Sequence, residues 1–465
     1  MIVSKMKQIL FFFCIIGIFL NLFTPDKFST ANPIMLVVEG VLLVIAAKKL
    51  IDIYVVDNKA VRERFYVFFL LSLFISLLLL AFCWTPYLNL ADAKEGFDPQ
   101  RYYVYATEYI KKGDFTGWVG GGLNGVVYIF AYVMMIFGND PLVPLYFNIL
   151  LLLIESLWMY RIFCHYCTKA HRYVPYLLLI PEVVYYNVMT SKETLCMFGA
   201  TWIIYELFVN STRRSLLHIF LLLLSMAFEL YVRATFAVII VFAYLLFIIF
   251  GCSQMSLAKK AVAVLVMAVG LYVGFSLGSS FITQDTIEEY QELAVSAASG
   301  DSESTFDVSE NSLSGKLVPH NQAEMVVFGF FRAILYLMPD TSIITAFSKD
   351  PTMFRLGPFT QFLTGGLMAL LIPLVFLSIW KTKKMKMRNF APLSCILVIL
   401  ILFVSYSRPG MVHQRYRIVY DCIYFFSAIL AIGYFQKKYV KMVMRNWFLL
   451  TVPAALILIL YKFVS

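Results

Sequence analysis

Apolar residues run in blocks along almost the whole chain, and polar residues are confined to short stretches between them. Many blocks approach the ~20 residues that an α-helix needs to cross a bilayer. The pattern predicts an all-α, polytopic membrane protein, a single integral membrane domain over residues 1–465. Composition sharpens the point. Hydrophobic residues fill 61% of positions and charged residues 14%, with a mean hydropathy of +0.80. Soluble domains hold roughly 45–50% apolar and about 25% charged residues. Residues 8–24 follow Lys5 and Lys7 as a signal peptide would. No small-x-small cleavage pattern closes that run, so a retained first span is expected.

A net charge of +10 would suggest a nucleic-acid partner in a soluble protein. Here the cations sit in short loops between apolar blocks, which is the positive-inside pattern. The clusters are Lys48, Lys49, Lys59, Arg62 and Arg64; Arg161, Lys169 and Arg172; Arg213 and Arg214; Lys259 and Lys260. Further along come Lys381, Lys383, Lys384, Lys386 and Arg388, then Lys437, Lys438, Lys441 and Arg445. Placing all of them in the cytoplasm puts the N-terminus inside and the C-terminus outside. The two neighbouring blocks at 123–138 and 141–160 cannot then both cross. GGGLNG opens the first poorly as a helix, and Gly138-Asn139-Asp140-Pro141 is a turn. Residues 85–140 are therefore expected to form one external loop with interfacial helices, which leaves about thirteen spans.

Four polar stretches then share the outer face. One is FDPQRYYVYATEYIKKGDF, residues 97–115, where Asp98, Tyr102 and Ala106 recur every four residues on one helical face. The second is the turn Met189-Thr190-Ser191-Lys192-Glu193. The third is an acidic loop, 283–322, with eight carboxylates from Asp285 to Glu310 against Lys316. The fourth is SRPGMVHQRYR, residues 407–417, where Arg408, His413, Arg415 and Arg417 crowd together. Arg233, Arg332 and Arg355 also fall near outer span ends. Arg233 has Glu229 one helical turn away as a partner. An outward basic pocket suits a lipid-linked phosphate.

Each feature has a plainer reading. Asp98 precedes Pro99, a common helix opening. The tyrosines at 102, 103, 105 and 109 form an interfacial aromatic belt, with sugar stacking open to one of them. Lys192 and Glu193 terminate a hairpin and pair with each other. His413, Arg415 and Arg417 anchor headgroups, and the acidic loop is a solvated tether. Cys164-His165-Tyr166-Cys167 with His171 is half a zinc site at most. No Walker loop, dinucleotide fingerprint or nucleophile elbow is present, which argues against an ATP-driven pump.

The ordered set Asp98-x-x-x-Tyr102-x-x-x-Ala106, Ile110, Gly113-Asp114-Phe115, Phe137-Gly138, Pro181, Glu193 and His413-x-Arg415-Tyr416 resembles GT-C-type glycosyltransferases. It is best over residues 97–210, and polysaccharide repeat-unit polymerases of the Wzy and EpsG type share similar patterns. The resemblance implies a bacterial enzyme of the inner (cytoplasmic) membrane. It would move a sugar or oligosaccharide from a polyprenyl (pyro)phosphate, undecaprenyl in bacteria, to a glycan or lipid-linked acceptor on the outer face. Asp98 and Glu193 are the implied catalytic acids. Arg101, Tyr102, Lys192, Arg233, Arg332, Arg408, His413, Arg415 and Arg417 are the implied substrate-binding residues. Asp98 is also the residue that would hold a divalent metal, magnesium or manganese. Asp92, Glu95 and Asp98 lack the tight acid-x-acid pair of metal-using members. Implied partners are the lipid donor, the glycan acceptor, the bilayer and other polysaccharide-assembly proteins, with no nucleic acid. A transporter of lipid-linked oligosaccharide is the alternative from another class. It would show two similar halves and polar residues scattered mid-span.

Overall fold

The computed structural model describes residues 2–23, 31–87, 98–113, 125–166, 169–213, 215–251, 256–279, seven positions between 324 and 333, 356–381, 391–406 and 417–464. All regular structure among the described residues is helical. The helices are α1 (Ile2–Leu22), α2 (Pro33–Tyr54), α3 (Lys59–Tyr87), α4 (Asp98–Lys112), α5 (Gly125–Phe137), α6 (Leu142–Tyr166) and α7 (Pro181–Asn187). They continue with α8 (Lys192–Arg213), α9 (Leu216–Leu246), α10 (Leu257–Ser279), α11 (Leu356–Lys381), α12 (Ala391–Tyr406), α13 (Ile418–Tyr434) and α14 (Lys437–Val464).

Five described stretches are long and apolar enough to cross a bilayer: Lys5–Leu22, Lys59–Ala81, Leu142–His165, Leu216–Arg233 and Phe359–Trp380. Large apolar side chains such as Phe12, Phe19, Leu42, Phe220 and Phe376 lie on the outer surface. Water would penalise that surface and lipid tails do not, so the chain is a membrane protein. The acidic loop at 283–322 lies outside the described residues, as do 88–97 and 114–124 of the expected external region and 383–388 of the basic clusters.

The chain divides into two compact units. The first comprises Met1–Ile162, Arg172–Ala234 and Leu271–Ile282. In it α1 lies tightly on α3. A Cβ at Gly17 would come within 2.9 Å of Leu77, and Asn21 donates from Nδ2 to the Leu77 carbonyl at 2.8 Å. Small residues and interhelical hydrogen bonds are how helices adhere where water supplies no hydrophobic drive. At one end Lys7 pairs with Glu63, Arg161 donates to the Ile53 carbonyl at 3.0 Å and Arg64 to the Arg172 carbonyl at 2.8 Å. Three cationic side chains from distant parts of the sequence, Lys7, Arg64 and Arg161, thus meet partners at that end.

Two features of this unit follow from local sequence. The thirteen residues of α5 cover about 20 Å, short of the roughly 30 Å hydrocarbon core. The helix stops at Gly138, which adopts φ +112 and donates its N–H to the Met134 carbonyl at 2.8 Å. Asp140 then caps α6, its Oδ1 accepting from the Leu142 N–H at 2.8 Å. The apolar stretch around Pro181 is not one continuous helix. His171–Leu179 is a 3₁₀ helix containing Pro175, and α7 begins afresh at Pro181. Neither proline has an N–H to give to a continuous α-helical ladder.

The second unit comprises Phe163–His171, Thr235–Gly270 and Thr283–Ser465. Its centre is α13, whose residues are nearly all buried. The Tyr424 hydroxyl donates to the Met368 carbonyl of α11 at 2.9 Å. Trp447 of α14 donates from Nε1 to the Ala369 carbonyl at 2.7 Å.

Gly138→Ala should destabilise the first unit, because a Cβ is strained at that φ and would lie 2.9 Å from the Ala31 Cβ. We expect a loss of about 1–3 kcal/mol, read as a lower thermal midpoint of the detergent-solubilised protein. An unchanged midpoint would count against this corner geometry.

Candidate functional site: a buried charge cluster at the start of α8

The turn before α8 is fixed from two directions. Asn148 of α6 is fully buried, and its Nδ2 donates to the carbonyls of Asn187 and Met189 at 3.1 and 2.7 Å. Ser191 caps the helix. Its Oγ accepts from the Thr194 N–H at 3.4 Å and lies 3.1 Å from the Thr194 hydroxyl, which donates to the Tyr186 carbonyl at 3.3 Å. Lys192 and Glu193 therefore occupy the first positions of α8, where the backbone N–H groups and the helix dipole favour anions.

Charged groups from three helices converge beside that first turn. The buried Cys196 thiol lies within electrostatic reach of Lys192, Glu193, Glu229 and Arg233. Glu229 of α9 in turn senses both Arg233 and Glu155 of α6. Glu155 and Glu229 are fully buried, and Glu193 is 3% exposed. The absence of a side chain at Gly199 makes room for Glu229, whose carboxylate occupies the place a Cβ would take. Aromatic stacking holds α6 on α8. The Trp158 ring packs on Phe198, Trp202 and Tyr205, with centroids 5.2, 6.0 and 5.4 Å away. That stack sets the height of Glu155, one turn before Trp158, against α8.

The backbone of α9 breaks here as well. Arg233 has φ −162 and ψ 93, so the helix is interrupted one turn after Glu229. Tyr231, between the two charged residues, joins Tyr109 of α4 and Tyr128 and Tyr132 of α5 in one phenol cluster. Tyr109 meets Tyr128 and Tyr132 edge to face at 5.2 and 6.0 Å, and its hydroxyl is 3.4 Å from that of Tyr132. Gly125 at the start of α5 lets that helix approach the Tyr231 ring and carbonyl closely. Deeper on α4, Thr107 and Tyr103 donate to Asn139 Oδ1 at 3.2 and 3.5 Å. Burial, helped by nearby Asp140, pushes the Tyr103 phenol up.

The residues expected from sequence divide into groups. Lys192, Glu193 and Arg233 come together in this cluster. Asp98 is the first residue of α4. On the same helix Arg101 is half-buried and Tyr102 is packed in the core at 2% exposure. Arg417 is wholly buried in the second unit, 3.3 Å from Asp421, and donates to the Gln361 carbonyl at 3.1 Å. Arg332, Arg408, His413 and Arg415 lie outside the described residues, as do Cys167 and the acids Asp92 and Glu95. Among the described residues no three His, Cys, Asp or Glu side chains gather as a metal site. Glu155, Cys196, Gly199 and Asn148 belong to the cluster and were not singled out from sequence. Glu155 carried a usable signal, a lone acid in the apolar run LLLLIESLW. No family model, curated protein or solved structure matches this chain.

Asn148→Leu should remove the Asn148 donor from the Asn187 and Met189 carbonyls, leaving Met189 only the Ser191 N–H, and cost about 1–3 kcal/mol of stability. Gly199→Ala should displace the Glu229 carboxylate and destabilise by a similar amount, about 1–3 kcal/mol. Thermal unfolding of the purified variants checks both. Wild-type midpoints in both would mean that the turn and the helix contact are not as described.

Proposed function

We propose that the protein is a membrane glycosyltransferase of bacterial envelope polysaccharide assembly. It transfers a sugar or oligosaccharide from a polyprenyl (pyro)phosphate to a glycan or lipid-linked acceptor at the outer face of the cytoplasmic membrane. The finer topology, about thirteen spans with external loops at 85–140 and 283–322, belongs to this proposal. The observation that carries it is the convergence of Lys192 and Arg233 with Glu193 and Glu229 around one turn of α8.

The chemistry needs two kinds of group. A carboxylate takes the proton of the acceptor hydroxyl as its oxygen attacks the anomeric carbon. Cations then stabilise the phosphate oxygen that keeps the electron pair of the broken bond. Glu193 and Asp98 are the proposed bases, and Lys192 and Arg233 the proposed grip on the leaving phosphate, aided by the N-terminus of α8. Arg101 and Tyr102, with Arg332, Arg408, His413, Arg415 and Arg417, complete the proposed binding set. Asp98 is also the residue that would hold a divalent metal. The plainer alternative is that Glu229 and Arg233 form a structural i, i+4 ion pair. It accounts for neither Glu155 nor the placement of Lys192 beside the same thiol.

A Wzy-like repeat-unit polymerase is the same chemistry on a larger donor. Transport of lipid-linked oligosaccharide is the second reading, favoured by two observations. Helix α9 is interrupted at Arg233, and Glu155 and Glu229 lie inside apolar helices rather than at their ends. Broken helices and mid-membrane charge mark substrate paths in transporters.

Cells lacking the protein, complemented with wild type, Asp98→Asn, Glu193→Gln, Arg233→Ala or Lys383→Ala, separate these readings. Polyprenyl-linked glycans are extracted and analysed by mass spectrometry. A glycan short by one sugar identifies a single-sugar transferase, and a complete repeat unit with long polymer lost identifies a polymerase. Glu193→Gln and Arg233→Ala should lower product at least tenfold, a loss of over about 1.4 kcal/mol in transition-state stabilisation, with Lys383→Ala near wild type. Unchanged glycans in every variant would remove the enzyme reading.

A further inference from the structure

We propose that Glu155 and Glu229 together form a proton-binding site inside the membrane unit, one proton being held between the two carboxylates. This goes beyond glycosyl transfer and holds equally for an enzyme or a transporter. It starts from an unmet requirement. All four carboxylate oxygens of these residues are buried, and none accepts a hydrogen bond from a described residue. Buried acceptors normally have donors, and an ionised carboxylate in apolar surroundings without them costs several kcal/mol. A proton supplies the missing donor, since a carboxylic acid can give its O–H to the second carboxylate.

The charge balance of the neighbourhood points the same way. Arg233 and Glu155 lie beside Glu229, and Lys192, Glu193, Glu229 and Arg233 surround the Cys196 thiol. With Glu155 and Glu229 the cluster holds three carboxylates, Glu155, Glu193 and Glu229, against two cations, Lys192 and Arg233. Among these described groups the carboxylates outnumber the cations by one. The geometry is fixed rather than accidental. Gly199 admits the Glu229 carboxylate, and the Trp158 stack holds α6 against α8. Two buried carboxylates that sense each other's charge titrate as a pair, not as independent acids.

Infrared spectroscopy reads protonated carboxyl groups directly, apart from turnover. The full-length protein in lipid nanodiscs is measured in H2O and D2O at neutral pH as wild type, E155Q, E229Q and the double variant E155Q/E229Q. Wild type should show a deuterium-sensitive protonated-carboxyl band that the double variant lacks. Each single variant should lose or shift that band, because each removes the partner facing the proton. Glutamine keeps the shape, and size-exclusion profiles check folding. If the variants fail to insert, wild type alone still decides: a neutral-pH spectrum without protonated carboxyl overturns the proposal. Persistence of the full band in the double variant overturns it too. An unmoved band in either single variant shows one isolated acid and overturns the shared site.

Discussion

Charge buried in a medium that cannot hydrate it must be balanced by charge, donors or protons from the protein itself, and the first unit is organised around that demand. Glu155, Glu193 and Glu229 meet Lys192 and Arg233 beside the first turn of α8. Several other features follow from holding them there. Asn148 and Ser191 fix the turn that delivers Lys192 and Glu193. Gly199 gives up its side chain to the Glu229 carboxylate, and the rings around Trp158 hold α6 at the height where Glu155 reaches the cluster. Replacing this network by apolar packing would in general be neutral or stabilising. A network kept at that expense is better explained by use than by stability.

The surroundings extend the same logic toward the surface. Tyr231 lies between Glu229 and Arg233 in α9 and brings the phenols of Tyr109, Tyr128 and Tyr132 to the edge of the charged region. Helix α5, too short to span a bilayer, ends at a glycine turn that leads into the Asp140 cap of α6. An interrupted α9 provides irregular backbone beside charge, and such backbone at membrane depth is tolerated where it is enclosed by protein or lines a cavity. These features are the common ground of the transferase and transport readings. They separate in whether a glycosidic bond is made.

Much of the architecture was legible from the chain. Long apolar blocks foretold helices and a membrane, and the glycine turn at 138 foretold the break between α5 and α6. The four-residue recurrence from Asp98 foretold α4, with Tyr102 and Ala106 on one buried face. The site was legible in part. Lys192, Glu193 and Arg233 were visible as charges interrupting apolar sequence. What brings them together was not, because it depends on contacts between helices far apart in the chain. No glycine or proline marks the interruption at Arg233, so propensity gave no warning of it. Gly199 reads as an ordinary small residue until the side chain it admits is known. Glu155 is a lone acid within an apolar helix, a rarer pattern than charge in a loop, and that pattern alone does not say which helix it faces.

A double-mutant cycle on Glu229 and Arg233 tests the buried cluster most directly. Glu229→Gln, Arg233→Gln and the double variant are purified and their unfolding free energies compared. If the two side chains answer each other's charge, each single variant leaves an uncompensated partner. The double variant should then be less destabilised than the sum of the singles by about 1–3 kcal/mol. Additive effects would contradict a charge cluster at the heart of this unit.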